Sequence, residues 1–193
     1  MKYLAIDFEY CDSKCTPLAY AIMISDYPSG KVLYHTFGAC DRPMTDYDEV
    51  TLKFWHSHPD SHQFLVDRGR GVLPATMQAQ LASNVDYISR NFSNVFVVTD
   101  NVQDISCLNS ILGTHDMKTI FYLNGHYRQC LCTWSFALGR LGKGARDKIA
   151  HVKDTREVSE YYFGLKHTAS SCCAKILSSH FKVMDMARAP VCM

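Results

Sequence analysis

The spacing of apolar and polar positions divides the chain into two parts with different rhythms. Residues 2–8, "LAYAIMIS" (18–25) and "KVLYHTF" (31–37) are short runs rich in aromatic and aliphatic side chains, and the turn signal "DYPSG" separates the last two. They predict three strands with an antiparallel start. Farther on, Met77, Leu81, Val85 and Ile88 recur three or four residues apart behind Pro74, which predicts an amphipathic helix over 74–92. The run "NVFVVTD" (94–100) predicts a buried strand, "DISCLNSIL" (104–112) a helix and "KTIFYL" (118–123) another strand. Helices are predicted at 130–141 and 155–163, and "TASSCCAKILSSHF" (168–181) predicts the last one. Antiparallel strands followed by β-α-β alternation describe an α/β fold with a mixed sheet flanked by helices.

Composition narrows the setting. At 193 residues, 47% hydrophobic and 20% charged, the chain suits a single domain over residues 1–193 that needs neither disulfides nor zinc to hold its core. Its nine cysteines are an odd number, and the start "MKYLAIDFEY" has no signal-peptide core; both point to a cytoplasmic protein with reduced thiols. The pairs Cys11/Cys15 and Cys130/Cys132, near His126, lack the paired C-x-x-C spacing of a structural zinc site. No apolar run approaches the roughly 20 residues of a membrane span. The net charge of +1 conceals a basic stretch over 138–156, with Arg140, Lys143, Arg146, Lys148, Lys153 and Arg156 against Asp147 and Asp154. Such a stretch serves as a solvated surface or as a phosphate-contacting patch.

The chemistry starts at the chain's beginning. In "KYLAIDFEY", Asp7 and Glu9 stand one residue apart at the end of a strand, so their side chains share one face. Two like charges there repel and resist burial unless a cation compensates them. Asp104 falls at the start of a helix just beyond the strand 94–100, where the helix dipole favours a carboxylate. His167 stands at the mouth of the last helix. The cluster His56, His58 and His62 in "FWHSHPDSHQ" is interrupted by Pro59, which favours surface or substrate-side positions over a metal site.

The order D-x-E on strand one, Asp after a middle strand and His before the C-terminal helix resembles the DEDDh, or DnaQ-like, branch of 3′-5′ exonucleases with the ribonuclease-H-like fold. The resemblance places motif I at Asp7 and Glu9 and motif II at Asp104, with Asp100 where a polar Asn is common. Motif III, H-x-A-x-x-D, matches "HTASSC" at His167 and Ala169 but has Cys172 in place of the final Asp. The stretch "LKFWHSHPDSHQFL" (52–65) resembles the Trp-containing segment of phage-type and small bacterial members, so a phage- or virus-encoded enzyme acting in a host cell is one implied origin. The resemblance implies two divalent cations, Mg²⁺ or Mn²⁺, held by Asp7, Glu9 and Asp104, with His167 as general base. It also implies single-stranded DNA or RNA 3′ ends as substrate. Trp55 and Phe54 are candidates to stack on bases, packed core being the commoner role for such rings, and Arg140, Lys143 and Arg146 of the basic stretch are candidates to contact phosphates.

Cys172 is the departure from that pattern, because a thiol is a soft ligand ill suited to magnesium. Three readings follow. A carboxylate from elsewhere, Asp185 or Asp154, fills the place; the site takes a softer or loosely held ion; or cleavage is lost and the fold acts by binding nucleic acid or protein. An off-register His180…Asp185 pair has the same five-residue spacing without the alanine and ranks behind His167.

Overall fold

The computed structural model describes residues 1–112, 130–161 and 165–188. Strands β1 (Lys2–Tyr10), β2 (Pro17–Asp26) and β3 (Val32–Ala39) form the antiparallel half of the sheet. Strands β4 (Val95–Thr99) and β5 (Cys130–Cys132) add to it in parallel, giving the five-stranded order β3-β2-β1-β4-β5. Among the described residues the α-helices in chain order are α1 (Glu49–His56), α2 (Pro59–Gly69), α3 (Pro74–Asn91), α4 (Val102–Ile111), α5 (Thr133–Leu141), α6 (Ala145–Ala150), α7 (Glu157–Glu160) and α8 (Ala169–Arg188). This is the mixed sheet flanked by helices that the sequence predicts.

Strand β1 is the centre of the sheet, and its alternation sorts its residues onto two different surfaces. Leu4, Ile6 and Phe8 pack with Tyr20, Ile22 and Ile24 of β2 against Met77, Leu81 and Ile88 of α3 and Ile105 and Leu108 of α4. Tyr3 and Ala5 face the other way, with Ala21 and Met23, against Ala169, Cys173, Ala174, Leu177 and Phe181 of α8. The small side chains on both sides of that second contact let α8 lie close to the strands, and Cys173 Sγ reaches the Ala21 carbonyl at 3.3 Å. Continuing the alternation puts Asp7 and Glu9 on the α8 face. Their partners across β2 are Ala21 and Ala19, which leave room beside the carboxylates.

Several boundaries differ from expectation. Residues 130–132 are not the first turn of a helix but the short strand β5, paired with Val97–Thr99 of β4, and the helix begins at Thr133. The helix expected over 155–163 is limited to Glu157–Glu160 among the described residues. The helices α1 and α2 were not predicted as a pair, although Pro59 does separate them at N1 of α2. The strand expected at 118–123 lies outside the described residues.

Candidate active site

Asp7 and Glu9 are both buried, 8% and 7% exposed, at the end of β1. Asp104, in the first turn of α4, is 1% exposed, and the Asn101 side chain caps that helix by accepting from the Gln103 amide at 3.0 Å. Asp100 follows β4 directly. Ala5 pairs with Val98 across the parallel β1/β4 ladder, so Asp7 and Asp100, each two residues farther along, come side by side. Two groups result. Ligand atoms of Asp7, Asp100 and Asp104 lie within 4.8 Å of one another, as do those of Asp7, Glu9 and Cys172. Asp7 belongs to both.

Electrostatics shows how unsatisfied these groups are. Burial, followed by repulsion from Glu9 and Asp104, holds the Asp7 carboxyl well above the usual carboxylate range. Burial together with Asp104 pushes Glu9 up to about 8, and burial pushes Asp104 up to about 7. Asp100 is raised as well, mainly by burial, while Lys175 of α8 and Arg146 of α6 pull it back down. Tyr10 donates its hydroxyl to Asp104 Oδ1 at 2.8 Å, yet Asp104 Oδ2 and Asp7 Oδ2 are buried with no hydrogen-bond partner. Orphaned buried acceptors are costly, and carboxylates crowded against carboxylates have no internal remedy. The donor set fits divalent cations, which need hard oxygen ligands and would satisfy both orphans.

Cys172 is in the place its spacing implies, on the α8 face beside the carboxylates. Its Sγ lies 3.8 Å from Glu9 Oε1, and burial plus the neighbouring acids push the thiol far above its ordinary value. Asp154 and Asp185 do not fill in for the missing acid. Asp154 accepts from Ser178 and pairs with Arg156 at 3.1 Å, and Asp185 accepts from Tyr27 at 2.7 Å and from Arg156. The carboxylate that joins the cluster is instead Asp100. His180, the off-register candidate, is a core residue, 1% exposed and stacked on Phe136 at 4.9 Å.

His167 sits just ahead of α8 with φ of 54°, a left-handed conformation that turns the chain into the helix. Its ring packs edge-on against His58 at 4.2 Å and Phe54 at 5.0 Å. Burial, then His58 and two lysines, lower its pKa, so it is neutral near pH 7. His167 belongs to neither three-residue group. The three clustered histidines diverge: His56 is exposed, His58 meets His167, and His62 stacks on Trp55 at 5.3 Å. His58 is a site neighbour that the sequence left undistinguished from the other two.

Trp55 requires a correction. It is 1% exposed and donates its indole N–H to the Tyr10 carbonyl at 3.0 Å, so its faces are closed to a base. An indole that large releases the most free energy by burial, and here it ties α1 to the end of β1. The adjacent Phe54, 37% exposed and touching His167, is the open ring. Arg140, Lys143 and Arg146 are all exposed, with Arg140 over the Phe136 ring at 5.6 Å and Arg146 over the Trp134 ring at 4.7 Å.

No family model and no curated protein matches the chain. Solved structures do. The nuclease domain of 3′hExo, a DEDDh family member, bound to rAMP, has a TM-score of 0.54 at 9% identity, with 96% of this chain and 91% of that chain covered. A full-length 3′-exonuclease has a TM-score of 0.54 at 11% identity, with 96% and 81% covered. At such identities the architecture is what is shared: the chain has the ribonuclease-H-like fold of DEDDh-family 3′-exonuclease domains.

Proposed function

We propose that this protein is a divalent-metal-dependent 3′-5′ exonuclease that hydrolyses phosphodiester bonds at single-stranded DNA or RNA ends. The observation that carries the reading is the pair of buried, partnerless oxygens, Asp7 Oδ2 and Asp104 Oδ2, in a cluster of four acids. Divalent ions bound there, Mg²⁺ or Mn²⁺, would neutralise the phosphodiester's charge and acidify a water molecule.

The chain's own residues prepare the rest. Asp7 belongs to both groups, and Tyr10 holds Asp104 by occupying Oδ1, which leaves Oδ2 as the oxygen without a partner. His167, neutral near pH 7, is suited to accept the proton of the attacking water. Its contacts with Phe54 and His58 restrict the ring, and the open face of Phe54 offers a platform for a terminal base. Trp55 acts from beneath by holding α1 against Tyr10. Arg146, close enough to act on Asp100, and the exposed Arg140 and Lys143 would contact phosphates on the approach.

A labelled single-stranded oligonucleotide incubated with Mg²⁺ or Mn²⁺ tests this. A ladder shortening from the 3′ end, abolished by a chelator and by Asp7→Asn, is the expected result. Binding without any ladder would favour the second reading, which rests on Cys172: a nucleic-acid- or protein-binding fold that no longer cleaves.

A further inference from the structure

The two halves of the acidic cluster are chemically unlike. Asp7, Asp100 and Asp104 offer only carboxylate oxygens, whereas Asp7, Glu9 and Cys172 offer two carboxylates and a sulfur. The backbone that carries the sulfur is held in place. Cys172 lies in the first turn of α8, its amide bonded to the Thr168 carbonyl at 3.0 Å, and the neighbouring Cys173 is seated on β2 at the Ala21 carbonyl. Asp7 Oδ2, buried and without a partner, belongs to the residue that both groups share.

The donor types discriminate between kinds of ion, and the spacing admits the exchange. For a tetrahedral ion with a metal–sulfur bond near 2.3 Å and metal–oxygen bonds of 2.0–2.2 Å, the sulfur and an oxygen ligand stand about 3.5 Å apart. The Cys172 thiol donates to Glu9 Oε1 at 3.8 Å, so an ion that took the place of the shared proton would need these two ligands to close by only a few tenths of an ångström. Magnesium demands an octahedron of oxygens and avoids thiolate, while zinc and its borderline-soft relatives accept sulfur and oxygen together.

We infer that the Asp7–Glu9–Cys172 position takes a borderline-soft divalent ion of the zinc class, bound through a Cys172 thiolate, while the Asp7–Asp100–Asp104 position takes a hard ion. On binding, the sulfur–metal bond forms as the S–H bond breaks, and the proton passes to the buffer; no electron is transferred. This assignment rests on the metal-dependent reading above and gives it an unequal pair of ions in which Mg²⁺ alone fills one position.

Cobalt(II), the spectroscopically visible stand-in for zinc, supplies the test on the full chain after chelator treatment. Titration should raise a thiolate-to-cobalt charge-transfer band in the near ultraviolet that saturates at one equivalent, is bleached by Zn²⁺ and is untouched by excess Mg²⁺. The band should vanish in Cys172→Ser and persist in Cys15→Ser, whose thiol lies outside both groups. Cys172→Asp should weaken Zn²⁺ binding by at least about tenfold, the scale of loss seen when a metal site's supporting groups are altered. A wild-type protein whose melting temperature responds to Co²⁺ without the band, or a band that survives in Cys172→Ser, overturns the thiolate assignment and leaves the nuclease reading standing. No melting response to Co²⁺, Mn²⁺ or Mg²⁺ overturns both. The wild-type band requires no variant to fold.

Discussion

Without metal, the acidic cluster should make the protein less stable as pH rises from 6.5 to 8. Glu9 is pushed up to about 8 and Asp104 to about 7 by burial and mutual repulsion. In the unfolded chain both titrate near pH 4. Folded protein therefore holds protons that unfolded protein has already released, and the linkage sign is negative: stability is lost as pH rises through the folded pKa. Between pH 6.5 and 8 the loss is on the order of 2 kcal/mol, mostly from Glu9. For a chain of this length that corresponds to roughly 4–8 °C in melting temperature.

The assay is a set of thermal melts in a chelator across that window, for wild type and for the double variant Asp7→Asn/Glu9→Gln. Groups remote from the cluster contribute alike to both proteins, so the wild-type slope should be steeper and the variant more stable at pH 8. Divalent ions should reverse the trend for wild type alone, because they compete with protons for the same oxygens and their stabilisation grows with pH. A wild-type melting temperature that is flat or rising relative to the double variant in chelator would refute the claim that these carboxylates are buried and uncompensated.

Three further outcomes are expected. His180, whose Nδ1 is buried without a partner and whose pKa burial lowers to about 4, should cost stability as pH falls from 6.5 toward 4, by about 3 kcal/mol; His180→Phe should flatten that acid limb in melts run beside wild type. Trp55→Ala should destabilise the protein by about 3–5 kcal/mol in denaturant titration, since it removes a filled core position and the indole bond to Tyr10; a loss below about 1 kcal/mol would return Trp55 to the surface role. Charge reversal at Arg140, Lys143 and Arg146 should weaken oligonucleotide binding and flatten its salt dependence, each lost phosphate contact lowering the slope by about 0.7 for a single strand.

The fold was legible where periodicity is strong. Strands β1 to β3 carry long apolar runs, and α3 presents Met77, Leu81 and Ile88 to the core at regular spacing. The missed elements bury too little to leave a pattern. Trp55 is the one buried residue of α1, and α2 buries only Ser61, Leu65 and Gly69. Three residues of β5 are too few to show a period of two, and their strand character comes from pairing with β4. Trp55 stayed open between base stacking and packed core for a related reason: nothing in its own segment shows the partner that the strand end at Tyr10 supplies.

At the site, the carboxylates on β1 were legible because strand alternation alone puts Asp7 and Glu9 on one face. Asp100 needed a second step. The parallel partner of β1 must be β4, and once Ala5 is set opposite Val98 the acid two residues beyond each falls on the same face at the same height. Sequence distance hid this, since Asp7 and Asp100 belong to different halves of the chain. Asp154 and Asp185 do not replace the missing acid because Arg156, Ser178 and Tyr27 already engage them away from the cluster. The position beside Glu9 therefore keeps its sulfur, and Asp100 strengthens the all-oxygen half instead. What the sequence presents as one eroded motif is, in the fold, two neighbouring groups of unlike donor atoms that share Asp7, one all oxygen and one with a sulfur.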